Sequence, residues 1–120
     1  MKRIFFTFFL LLSFSNMHAQ ISDVQQKGDY VYLYGANNKQ ICSKRLSSGE
    51  LFAGMSSTFF VTQKGEYVYI YDDKANQITS KRLSSGEIVK SVSGNSFNTK
   101  KDGYVYTYDK SGKQLSSRRE

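Results

Sequence analysis

Three sets of side chains recur in this sequence at spacings that could do chemistry. Tyrosines stand at Tyr30, Tyr32 and Tyr34, at Tyr67, Tyr69 and Tyr71, and at Tyr104, Tyr106 and Tyr108, which uses all nine in the chain. Basic pairs stand at Lys44-Arg45, Lys81-Arg82 and Arg118-Arg119. Carboxylates fall at turn-like positions: Glu50 and Glu87 after Ser-Ser-Gly, then Asp72-Asp73 and Asp109. Tyrosine rings offer rigid contact area with a polar tip, suited to protein interfaces and to stacking on sugars. Arginine adds forked bonds to carboxylates and stacks on aromatic faces.

Catalysis is the weaker reading of the same residues. A glycosidase needs two carboxylates flanking one bond. Here the acids repeat with the turns, as structural turn residues do. Calcium at Asp72-Asp73 would have only a fragment of an oxygen cage, and the first unit lacks those aspartates. The chain holds one histidine, His18, and one cysteine, Cys42. His18 lies in a segment expected to be removed, so no Ser-His-Asp triad, Cys-His pair or histidine metal site can form in what remains. The expectation is a non-enzymatic protein without catalytic residues, cofactor or metal.

The removed segment is read from the N-terminus. Lys2-Arg3 is a basic start, residues 4–14 (IFFTFFLLLSF) are an apolar run, and a short polar stretch ends in Ala19. This is the pattern of a secretory signal peptide, with cleavage expected after Ala19. The run is too short for a membrane span of about 20 residues, so no membrane insertion is expected after cleavage. The mature chain, 20–120, is a single domain of 101 residues with 15 basic and 10 acidic side chains. A periplasmic or secreted location follows. An exported protein of such modest charge is not expected to bind nucleic acid. Cys42 aligns with Thr79 and Ser116, which suggests a tolerated substitution; the alternative is an intermolecular disulfide.

The elements that position these residues follow from the repeat. Tyr30, Tyr67 and Tyr104 are 37 residues apart, and so are Arg45, Arg82 and Arg119. Three copies without a gap make repetition the first fact about the fold. Within a unit the period is two: Tyr67-Val68-Tyr69-Ile70-Tyr71 alternates aromatic with aliphatic, as a strand with two distinct faces does. A turn follows at 72–76, and at 109–112 Gly112 provides for positive φ. Further strands are expected at 77–83, at 88–92 (51–55 in the first copy) and at 97–99 (59–62).

The fold class is therefore all-β and antiparallel, about eleven short strands in nearly three repeats. Copy number favours a closed, threefold, trefoil-like arrangement; an open or propeller-like meander is the alternative, because a propeller ring typically needs four or more blades. Which face of each tyrosine strand is buried stays open at this level.

The hairpin Tyr106-Thr107-Tyr108-Asp109-Lys110-Ser111-Gly112-Lys113-Gln114-Leu115 resembles the YD repeat of bacterial RHS-type shell proteins. Tyr69 to Ile78 keeps the Tyr-Asp but has Ala75 in the glycine's place, and the first copy has Gly35 for the aspartate. The whole unit is similar to small exported bacterial tandem-repeat β-proteins, some associated with toxin–immunity systems. That resemblance implies protein binding and transfers no catalytic residue.

The function expected is an exported interaction module binding a protein partner with an acidic surface, as an immunity or inhibitor protein would. The expected contacts are Tyr32, Tyr69 and Tyr106 with Arg45, Arg82 and Arg119. The alternative is a carbohydrate-binding module for cell-wall or extracellular glycan. The plain reading is that the rings cover the sheet and the basic pairs keep strand edges soluble.

Overall fold

The computed structural model describes residues 20–120, and the leader expected over 1–19 lies outside the described residues. Eleven strands follow one another: β1 (Asp23–Lys27), β2 (Tyr30–Tyr34), β3 (Gln40–Arg45), β4 (Leu51–Met55), β5 (Phe59–Lys64), β6 (Tyr67–Asp72), β7 (Gln77–Arg82), β8 (Ile88–Ser93), β9 (Ser96–Lys101), β10 (Tyr104–Asp109) and β11 (Gln114–Arg119). All pairings are antiparallel. They build three meanders: sheet A in the order β1-β2-β3, sheet B in the order β4-β5-β6-β7, and sheet C in the order β8-β9-β10-β11. The all-β expectation holds, including the number of strands.

Tight turns join neighbours within a sheet. Asp72 and Asp109 each accept two backbone N–H groups of the following loop, from Lys74 and Asn76 and from Ser111 and Lys113, at 2.9–3.0 Å. Their side chains thus shape the turn. Gly112 sits at φ 88, and Ala75 adopts φ 64 at the same repeat position. The alanine tolerates this because its methyl is buried between two sheets.

The Ser-Ser-Gly-Glu links differ from the turns within a sheet. Each crosses from the outer strand of one sheet to the first strand of the next, from β3 to β4 and from β7 to β8. Two anchors hold each crossing. Leu46 and Leu83 are buried between sheets, and Glu50 and Glu87 are buried beside them.

The sheets stack in a row. One core joins Val24, Val31 and Leu33 of sheet A to Phe60 and Tyr71 of sheet B. A second joins Phe59, Val61, Val68 and Ile70 of sheet B to Phe97 and Tyr108 of sheet C. The aromatic face of each later sheet therefore covers the aliphatic face of the sheet before it. Sheet B is buried on both sides, which answers the question alternation left open.

This corrects the preference for a closed threefold arrangement. A trefoil would gather one core around a common axis, whereas here two cores separate three successive sheets and no barrel closes. The open, propeller-like meander describes the molecule. Units of this kind depend on their neighbours for burial.

Candidate interaction surface

Each joint between sheets is built from the same parts. On the tyrosine strands the register slips just before the third ring, between Leu33 and Tyr34, Ile70 and Tyr71, and Thr107 and Tyr108. Such bulges bend a strand and re-aim a side chain. Tyr71 stacks on Phe60 with ring centroids 4.9 Å apart, and Tyr108 stacks on Phe97 at 5.3 Å. From the preceding sheet, the Lys44 Nζ lies 5.4 Å from the Tyr71 ring centroid and the Lys81 Nζ lies 5.0 Å from that of Tyr108. Lysine, on the aliphatic side of the edge strand, thus makes the cation–ring contact across the joint.

The link carboxylates complete the joint. Glu50 accepts from the Tyr71 hydroxyl at 2.6 Å, the Ser47 N–H at 3.0 Å and the Thr62 hydroxyl. Glu87 accepts from the Tyr108 hydroxyl at 2.8 Å, the Ser84 N–H at 3.0 Å and the Thr99 hydroxyl. Burial alone would raise the Glu87 carboxyl, but the donors from Thr99, Ser84 and Tyr108 outweigh it and hold the group below its ordinary range. Burial, and then the carboxylate partner, push the Tyr71 and Tyr108 hydroxyls well above the ordinary phenol range. These acids are spent on structure, as their turn positions suggested.

A glutamine clamp finishes each joint. Gln26 donates to the carbonyl of Glu50 and accepts from the Phe52 N–H; Gln63 does the same with Glu87 and Val89. Sequence reasoning placed these acids as structural turn residues but missed their burial and both clamps. Their signal was the recurrence of glutamine and glutamate at fixed repeat positions beside no plausible reaction partner.

The expected partner-binding residues fall into two groups. Arg45, Arg82 and Arg119 are exposed at equivalent positions on the three outer strands. Arg82 pairs with Glu66 at 3.1 Å on the open surface. Tyr32, Tyr69 and Tyr106 are half-buried, and Tyr69 and Tyr106 lean on the two cores. Directly opposite each arginine stands the first tyrosine of the row: Tyr30 across from Arg45, Tyr67 from Arg82 and Tyr104 from Arg119. These first rings are over 40% exposed. Each neighbours the middle ring, at 6.3 Å for Tyr30–Tyr32 and 6.5 Å for the other two pairs. The structure therefore brings arginine beside two tyrosines on one face of each outer hairpin.

Cys42 is half-buried against the first core, where burial and then the carboxylates of Asp72 and Asp73 push its thiol up. Shallow cavities open among the described residues. One, of about 260 Å³, is lined by Asp23, Gln25, Tyr34 and Asn38 at the open face of sheet A. Another, of about 190 Å³, is lined by Thr58, Asp72, Asp73 and Lys110. Among the described residues, no His, Cys, Asp and Glu group could hold a metal ion, and no helix is long and apolar enough to cross a membrane.

No family model matches the chain, and no curated protein matches its sequence. Solved structures share its fold at low identity. A protein of unknown function from Bacteroides caccae aligns over 83% of this chain with TM-score 0.56 and 9% identity. BamB from Moraxella catarrhalis aligns over 81% with TM-score 0.53 and 11% identity. Hsv2 from Kluyvelomyces marxianus aligns over 84% with TM-score 0.54 and 14% identity. The chain spans 39%, 34% and 40% of those three proteins, respectively. The likeness reaches a repeated all-β meander and does not extend to the YD hairpin family.

Proposed function

We propose that this chain is an exported, non-catalytic interaction module that binds a protein partner with an acidic surface, as an immunity or inhibitor protein does. The observation that carries the reading is the repeated pairing of an exposed arginine with an exposed tyrosine: Arg45 with Tyr30, Arg82 with Tyr67, Arg119 with Tyr104. Tyrosine and arginine are favoured hot-spot residues. Tyr32, Tyr69 and Tyr106 back these pairs from the half-buried side and hold the first rings in place.

Replacing Arg45, Arg82 and Arg119 together by Glu tests the reading. Capture of a partner from envelope extract should be lost, while the far-UV spectrum and melting temperature stay near those of the parent. Capture by the triple variant at parental strength would reject it. The neighbouring ring pairs also suit sugar stacking, which keeps a glycan ligand as the second reading. Binding on a glycan array that survives the arginine changes and is lost on replacing Tyr30, Tyr67 and Tyr104 would favour it.

A further inference from the structure

Sheets B and C each begin with an inner strand, β4 or β8, whereas sheet A begins with β1, the counterpart of β5 and β9. Among the described residues, the β1 edge that corresponds to the β4 side of β5 is therefore unpaired. The same place lacks the other parts of a joint. Tyr34 corresponds to Tyr71 and Tyr108, yet its hydroxyl meets no carboxylate among the described residues. Gln25 stands where Thr62 and Thr99 stand, and Asp23 replaces Phe60 and Phe97. These residues line the cavity of about 260 Å³.

We propose that β1 is completed by an extended segment of a protein partner, laid along its free edge as β4 lies along β5. Among the described residues no strand pairs with this edge, and its Val24 N–H is held at 2.9 Å by the Asp23 carboxylate, which also accepts from the Gln25 amide at 3.2 Å. An added strand supplies backbone partners in place of that local bond, and pockets beside it set the sequence. The inference rests on the interaction-module reading and on removal of the leader.

The repeat specifies what this segment carries. In the built sheets the acid just before the inner strand meets the third tyrosine: Glu50 with Tyr71, Glu87 with Tyr108. A carboxylate at that point of the segment meets Tyr34. Five residues later, Met55 pairs with Phe60 and Val92 with Phe97. On sheet A that partner is Asp23, so a basic residue belongs there. The segment is thus an acid, a run of strand-forming residues, and a lysine or arginine five places after the acid. Gly28 and Tyr30, at the far end of the β1–β2 hairpin, take no part.

The test uses the exported protein with Gln20 at its N-terminus, verified by intact mass. The probe is a labelled peptide copying residues 84–93, Ser-Ser-Gly-Glu-Ile-Val-Lys-Ser-Val-Ser, read by fluorescence anisotropy. Saturable binding is expected. The peptide with Val92→Lys should bind about twofold to fivefold tighter, with the gain shrinking at high salt. The peptide with Glu87→Gln should bind about tenfold more weakly. Tyr34→Phe in the protein should erase the difference between the Glu and Gln peptides while leaving the melting temperature unchanged.

No saturable binding, or equal binding of the Glu and Gln peptides to the parent protein, overturns the proposal. So does a stable dimer by light scattering that excludes the peptide, since a second copy then holds the edge. Partner capture that persists in any of these cases leaves the interaction reading standing, whereas the arginine reversal tests that reading alone.

Discussion

Gly54 on β4 lies against Val92 on β8: a methyl group added to Gly54 would sit 2.7 Å from the Val92 Cγ2 and 3.3 Å from its Cβ. The two inner strands, β4 and β8, meet here across the joint between sheets B and C. In sheet C the same repeat position is Ser91, which is exposed. A glycine is needed only where another sheet arrives.

Gly54→Ala should accordingly destabilise the protein by about 1–3 kcal/mol, the usual cost of overpacking. Val92 is β-branched and cannot swing away. The melting temperature should fall by about 4–8 °C for each kcal/mol in a domain of this size. Adding Val92→Ala should recover part of the loss. A Gly54→Ala protein that melts with the parent would show that the strands separate freely.

The buried acid–tyrosine pairs predict stability limits at both ends of the pH scale. Glu87 is held below its unfolded value, so its contribution is present above the ordinary carboxylate range and is lost as pH falls through the depressed folded value. Tyr71 and Tyr108 are raised, so theirs is present below about pH 10 and is lost as pH climbs beyond it. Thermal melts from pH 2 to 12 should show both declines. Glu87→Gln should flatten the acid limb, and Glu87→Ala should cost about 1–3 kcal/mol at neutral pH by stranding the buried Thr99 hydroxyl.

The outer face of sheet C is polar where the equivalent face of sheet B is apolar. Ser96, Asn98 and Thr107 occupy the positions of Phe59, Val61 and Ile70, while Lys100 replaces the clamp Gln63 and Glu120 replaces the buried Leu83. The substitutes bond to one another: the Thr107 hydroxyl donates to the Asn98 Oδ1 at 2.6 Å, the Asn98 amide donates to the Ser91 Oγ at 3.1 Å, and Lys100 pairs with Glu120 at 2.9 Å. Terminal units with a polar outer face keep stacked repeats soluble.

Restoring the interior residues with Ser96→Phe, Asn98→Val and Thr107→Ile should therefore leave the strands folded and drive self-association. Light scattering should show oligomers that grow with concentration. A triple variant that associates no more than the parent would mean that the polar face does not limit the stack.

The 37-residue period, the alternation within it and the turn chemistry of Asp109 and Gly112 were all legible from residue order. They rest on local rules: side chains alternate along a strand, and a turn needs particular φ values. The structural role of the repeated acids was legible too, since they recur with the turns at the repeat spacing. The stacking of the sheets was not. Alternation says that Tyr69 and Ile70 face opposite ways, but not that both faces of one sheet are buried. That depends on Phe60 sharing one core with Val31 and Phe59 sharing another with Phe97, residues far apart in the chain. The Ser-Ser-Gly-Glu link likewise resembles a hairpin turn locally; burial of Leu46 and Glu50 makes it a crossing between sheets. Thr107 stands where the other units have Leu33 and Ile70, and its bond to Asn98 on the outer face of sheet C gives that departure a physical cause.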